Sequence, residues 1–177
     1  MTTTDPRSRL RAKALAVPLH VVLVEPEIPP NTGNIARLCA ATASPLHLVG
    51  KLGFRIDAHS VRRAGVDYWH LVDVRQHGNF SEFFEEFRRE SPAGALHLFS
   101  ALASKSYLER AYAPGDALVF GRESVGLPGD LLAAHAESVV GIPTLGAVRS
   151  LNIANAAAIA IFEALRQTGT LSPTFMG

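Results

Sequence analysis

Gly141-Ile142-Pro143-Thr144-Leu145-Gly146-Ala147-Val148-Arg149-Ser150-Leu151-Asn152-Ile153-Ala154-Asn155 joins a short apolar run, Ser138 to Ile142, to an alanine-rich helix. The joining segment of Gly, Pro and small polar residues leaves backbone N–H and C=O groups free to meet a ligand. Arg149, Ser150 and Asn152 stand where the helix begins, and a helix start favours negative charge and polar ligands. From Ile153 to Leu165 only Asn155 and Glu163 are polar, so the helix lacks a wet face. A helix apolar all round has to be covered on more than one side. A second subunit is the expected second cover, with the small residues Ala157 and Ala160 at that contact.

Upstream of this segment, apolar runs alternate with helical patterns. Leu19 to Val24, Leu46 to Val49, Leu71 to Val74, Leu96 to Phe99, Ala117 to Phe120 and Val139 to Ile142 read as strands. Gly33 to Thr42, Ala58 to Ala64, Gly129 to His135 and Asn152 to Arg166 read as helices. Phe80, Phe83, Phe84 and Phe87 repeat at helical spacing and predict an amphipathic helix over Phe80 to Arg89 with its rings in the core. Strands alternating with helices imply an α/β fold, a mostly parallel sheet flanked by helices. Residues 1–17 read as a flexible basic arm, 18–169 as a single domain and 170–177 as a tail.

At 177 residues the chain is long enough for one domain with a proper core. No apolar run approaches the length of a bilayer span, so no membrane association is expected. Cys39 is the only cysteine, which rules out an intrachain disulfide and fits a reducing, cytoplasmic setting. No histidine stands at ligand spacing from Cys39, another histidine or a glutamate, so no metal is expected. A net charge of +1 lacks the strong basic bias of a protein that coats nucleic acid. Two local clusters, Arg7-Arg9-Arg11-Lys13 and Lys51-Arg55-Arg62-Arg63, are either solvated faces or a patch for a phosphate backbone.

Ligands of open α/β sheets gather at the carboxyl ends of strands. Three loops follow strands here: Glu25 to Arg37, Phe120 to Gly129, and the segment quoted first. None is a familiar phosphate cradle. The first loop has only Gly33 where a dinucleotide fingerprint needs three glycines, and Leu127-Pro128 replaces the Lys and Ser or Thr of a P-loop. No G-x-S-x-G surrounds Ser100, Ser104 or Ser124, which argues against a hydrolase nucleophile elbow.

The run Glu25-Pro26-Glu27-Ile28-Pro29-Pro30-Asn31-Thr32-Gly33-Asn34-Ile35-Ala36-Arg37, with Phe120-Gly121-x-Glu123-x-x-Gly126-Leu127-Pro128 and Arg149-Ser150-Leu151-Asn152, resembles the three motifs of the SPOUT superfamily of RNA methyltransferases. The resemblance spans roughly Pro18 to Gly169. It implies S-adenosylmethionine as cofactor, a C-terminal trefoil knot and a homodimer through the last helix. Leu102, Gly121, Ile142, Ser150 and Leu151 match the cofactor positions, although Leu102 and Ile142 also suit plain core packing. Arg37 matches the catalytic arginine, and Arg149, Glu123 and Asn34 are candidates for substrate binding. On residue type alone, Asn34 and Asn152 are equally helix caps, and Glu123 equally a turn-completing carboxylate near Gly126. The first motif most resembles enzymes that methylate the ribose 2′-hydroxyl of the wobble nucleotide, which implies a tRNA anticodon stem-loop as partner. Another tRNA or rRNA position, or an RNA-binding relative without catalysis, stays open. Several members carry a tyrosine near Phe162, and that hydroxyl is missing here.

Overall fold

The computed structural model of the chain describes residues 9–54, 69–172 and 174–176. The expected helix Ala58 to Ala64 and the basic residues Arg55, Arg62 and Arg63 lie outside these. Among the described residues, six strands build one all-parallel sheet. They are β2 (His20–Val24), β3 (Leu46–Val49), β4 (Val74–His77), β5 (Leu96–Phe99), β6 (Ala117–Phe120) and β7 (Val139–Val140), in spatial order β4-β3-β2-β6-β5-β7. Every residue of β2, β3, β5 and β6 is buried, as expected of parallel strands covered on both faces.

Helices α1 (Pro29–Thr42) and α4 (Ile153–Gln167) cover one face, where Val21, Leu23, Leu46, Leu48, Leu118 and Phe120 meet Ile35, Ile161 and Leu165. On the other face Val22, Val24, Leu98 and Val119 meet Phe83 and Phe87 of α2 (Phe80–Glu90), with α3 (Gly129–Ala134) supplying half-buried leucines. Of the four rings of α2, Phe83 and Phe87 are fully buried, whereas Phe80 and Phe84 are half-buried near His135.

Several boundaries depart from the sequence reading. Helix α1 begins at Pro29, not Gly33, because prolines at the first two helical positions remove N–H groups that would have no partner there anyway. Asn34 is consequently inside the helix, which excludes its capping role. The strand expected at Leu71 to Val74 is displaced to β4. Residues Trp69–Leu71 form a 3₁₀ turn with Leu71 exposed, and the edge strand Val-Arg-Gln-His carries no apolar run. Strand β7 stops at Val140 because Gly141 turns to other partners, its N–H on the Lys105 carbonyl and its carbonyl on the Tyr107 N–H. No strand was expected in the arm or the tail. Nevertheless β1 (Leu10–Ala12) pairs antiparallel with β8 (Thr174–Met176), and the Thr170 hydroxyl donates to the Lys13 carbonyl at 2.6 Å.

Ala157 and Ala160, expected at a subunit contact, are instead 1% and 0% exposed within the single chain. Their small side chains let α4 approach α1 closely. The apolar residues that α4 leaves uncovered are Ile159 and Phe162.

The fold also gathers histidines that are remote in sequence. His20, His47 and His77, on β2, β3 and β4, form a buried diagonal row. His20 Nδ1 is 3.0 Å from His47 Nε2, and His47 Nδ1 is 2.9 Å from His77 Nε2. The row ends on the Ser91 hydroxyl at one side and faces Glu86 at the other. Burial holds all three imidazoles below their ordinary pKa, His47 at about 2. On the opposite face His97 meets Asp116 at 2.8 Å. Burial alone would raise the Asp116 carboxyl, but bonds from His97 and from the Ala95 and Ala113 N–H groups outweigh it and lower the pKa.

Candidate active site

The spatial order reverses between β2 and β6, so the loops after these two strands flank the switch point of the sheet. At the end of β2, Glu25 takes a left-handed φ of 51°, a conformation that costs a non-glycine residue energy and clusters at functional sites. Its carboxylate pairs with Arg122 of the loop after β6. Glu27 in turn accepts from the N–H and the hydroxyl of Ser124, both at 3.0 Å, and these bonds hold its carboxyl below the usual range.

The reciprocal contact runs through Glu123. Its Oε2 accepts from the Glu27 N–H at 2.9 Å, and its Oε1 accepts from the Ile28 N–H at 3.3 Å and from Asn31 Nδ2 at 3.1 Å. The Asn31 Oδ1 then accepts from Asn152 Nδ2 at 3.0 Å, and the Asn152 Oδ1 caps α4 through the Ala154 and Asn155 N–H groups. One hydrogen-bonded line, Glu123–Asn31–Asn152, therefore ties all three loops together. Asn152 is a helix cap that also fastens the first loop. Glu123 is bound to that loop rather than to a turn near Gly126.

Asn31 was not singled out in the sequence. It stands inside the first motif, but nothing local assigns its role, since its partners lie 92 and 121 residues away in the chain. Only its burial at 8% exposure, as a polar residue on the first turn of a helix, betrays a network.

Substituting Glu123 by Gln leaves one acceptor where two oxygens serve three N–H donors, so an amide N–H must face a donor. We expect unfolding to ease by about 1–2 kcal/mol in a denaturant titration. An unchanged midpoint would mean that the three bonds contribute nothing.

The loop after β6 doubles back through paired bonds between Arg122 and Gly126. A Cβ on Gly121 would lie 2.2 Å from the Gly126 carbonyl carbon and the Leu127 nitrogen, and Gly126 itself adopts φ +76°. Gly121 thus accepts backbone where no side chain fits. Leu102, Gly121 and Ile142 follow the neighbouring strands β5, β6 and β7, which brings the three expected cofactor positions to one edge. Leu102 is 90% exposed, so core packing is excluded for it, whereas Ile142 is half-buried against the core. Ser150 is exposed and Leu151 half-buried, just ahead of α4. Arg37 and Asn34 share the exposed face of α1, three residues apart. Arg149 is exposed in the third loop.

A parallel α/β sheet with three interlocked loops at its carboxyl edge has the architecture in which enzymes of this class hold their ligands. The SpoU rRNA Methylase family matches residues 18–162, and the chain belongs to it. By that membership it is a methyltransferase. A relative from Burkholderia ambifaria, a tRNA (cytidine(34)-2′-O)-methyltransferase, is 43% identical over 152 residues, 85% of this chain and 96% of its own. A solved structure concerned with 2-OH methylation of C/U34 on tRNA has a TM-score of 0.78 and 45% identity, covering 85% of this chain and 96% of that one. The SpoU methyltransferase AviRb from Streptomyces viridochromogenes, solved in complex with AdoMet, has a TM-score of 0.70 and 25% identity. That match covers 89% of this chain and 61% of AviRb. Among the described residues no helix is long and apolar enough to cross a membrane.

Proposed function

We propose that this chain transfers a methyl group from S-adenosylmethionine to the ribose 2′-hydroxyl of the wobble nucleotide, cytidine or uridine at position 34, in the tRNA anticodon loop. The observation that carries this reading is agreement along nearly the whole length of both chains with proteins named for that reaction. The interlocking of the three loops through Asn31 supports it, since the residues expected to serve one reaction lie on segments that are physically joined.

The residues present suit the cofactor. Gly121 lets the loop after β6 fold tightly onto Gly126 and Leu127, which fixes that loop's backbone groups at the sheet edge, and Leu102 and Ile142 offer apolar surface on adjacent strand ends. Ser150 and Leu151 add backbone groups for the adenine edge. When bound, S-adenosylmethionine supplies an electrophilic methyl on a sulfonium. The chain's own task is to hold the ribose hydroxyl in line and to ease loss of its proton. A guanidinium offers N–H donors and no acceptor, so Arg37 acts by stabilising the developing alkoxide rather than as a base. Asn34 on the same helical face, Arg149 and Glu123 complete the substrate side, Glu123 by keeping the first loop in place. The trefoil knot and a cytoplasmic setting belong to the same reading.

Purified protein, S-adenosylmethionine and unmodified tRNA should yield a 2′-O-methylated nucleoside at position 34, located by nuclease mapping and mass spectrometry. Methylation at any other position moves the target, and no methylation of any tRNA defeats the reading.

The dimer is proposed through the exposed stripe of α4. Phe162→Asp places a charge on that stripe without entering the protomer core. Sedimentation velocity should then show monomers with retained far-UV circular dichroism, and an unaltered dimer would remove α4 from the interface.

A further inference from the structure

None of the residues assigned to methyl transfer belongs to the row His20–His47–His77. Its protons can be arranged in more than one way. In one, the Ser91 hydroxyl donates to His20, His20 to His47, His47 to His77, and His77 Nδ1 points its proton at the Glu86 carboxylate. In another, His20 and His47 carry their protons on Nε2, so that His47 donates to His20 and His20 to the Ser91 oxygen. The lone pair of His47 Nδ1 then faces the lone pair of His77 Nε2 across 2.9 Å. A cation between the two nitrogens satisfies that arrangement while His77 keeps its Nδ1 proton toward Glu86. Moving between the two needs no net gain or loss of protons.

We propose that His47 Nδ1, His77 Nε2 and the Glu86 carboxylate form a site for one divalent cation of the zinc class. One ligand atom from each residue lies within 4.8 Å of the others. Two nitrogens 2.9 Å apart subtend roughly a right angle at a metal about 2.0–2.1 Å from each, and a few tenths of an ångström of opening reaches tetrahedral geometry. Two imidazoles and a carboxylate are the donors such a cation prefers.

The surroundings agree. A metal-bound histidine ordinarily donates its second ring N–H to a fixed acceptor, and His20 Nδ1 stands ready for His47 at 3.0 Å. Phe83 packs edge-on against both His47 and His77 and fixes their ring planes. Glu86 also contacts Arg75 at 3.0 Å, but Arg75 holds Asp73 at 2.7 Å and Glu90 at 2.6 Å as well. Glu86 can therefore turn to a cation without leaving Arg75 unpaired. Glu86 keeps 31% side-chain exposure, which provides the way in. A bound ion would fasten α2 to β3 and β4.

The test is titration of chelator-stripped, full-length protein with Zn²⁺, read by calorimetry and by thermal melting. One equivalent should bind and raise the melting temperature. Glu86→Gln, half-exposed on α2, should fold normally and bind at least about tenfold more weakly, and His77→Gln should lose the site. His70→Gln, an exposed histidine outside the row, should bind as the unaltered chain does. If His77→Gln fails to fold, Glu86→Gln alone decides. No stoichiometric uptake by the unaltered chain, or equal affinity in Glu86→Gln, overturns the site.

Discussion

Gly121→Ala is expected to destroy cofactor binding and to lower the stability of the whole domain. The added methyl would sit 2.2 Å from two backbone atoms of Gly126 and Leu127 and 2.4 Å from the Gly126 carbonyl oxygen. Backbone cannot rotate away as a flexible side chain can, so the paired bonds between Arg122 and Gly126 must open. Opening that loop displaces Arg122 from Glu25 and Glu123 from Asn31, and the damage reaches the first and third loops. Overpacking of this kind costs on the order of 3 kcal/mol. A comparable loss at the site lowers affinity roughly 100-fold, since each decade corresponds to about 1.4 kcal/mol. Calorimetry with S-adenosylmethionine and a thermal melt would report both. A variant that binds the cofactor as the unaltered chain does would show that the loop does not form the site.

Arg37→Ala should have the opposite profile, a large loss of turnover with little else changed. The side chain is exposed on α1, so any contact it makes is a surface one and stability should fall by no more than about 1 kcal/mol. Removing a donor aimed at developing negative charge typically lowers kcat by about 10²–10³. Arg37→Lys should recover only part of this, because an ammonium keeps the charge without the planar fork. Single-turnover kinetics on tRNA, beside cofactor titration, separates the possibilities. If cofactor affinity falls together with turnover, Arg37 belongs to the cofactor side.

The contrast between these variants reflects what the sequence makes legible. Four buried strands are readable as apolar runs because a parallel strand covered on both faces has no polar alternation to hide it. Helix α2 is readable because four phenylalanines repeat at helical spacing. Edges and ends are not. Strand β4 lies at the sheet margin, where Arg75 and Gln76 carry no apolar signal, and β1 and β8 are three-residue strands that exist only because they meet. The site divides in the same way. Gly121, Ser150 and Arg37 stand in recognisable motifs, whereas the role of Asn31 depends on two partners that only the fold brings near. The histidine row is the extreme case. Spacing of 27 and 30 residues between its members has no local meaning, and register alone turns it into contact.

The central pair of the sheet joins β2 to β6, with His20 opposite Ala117 and Leu23 opposite Phe120. During synthesis from the amino end, β2, β3 and β4 emerge long before the strand that completes them. Until Phe120 has left the ribosome, β2 presents one entire unpaired margin, an invitation to associate with any other extended chain. The last strand of that central pair to be synthesised thus closes the sheet, and the nascent chain carries its most exposed edge until then.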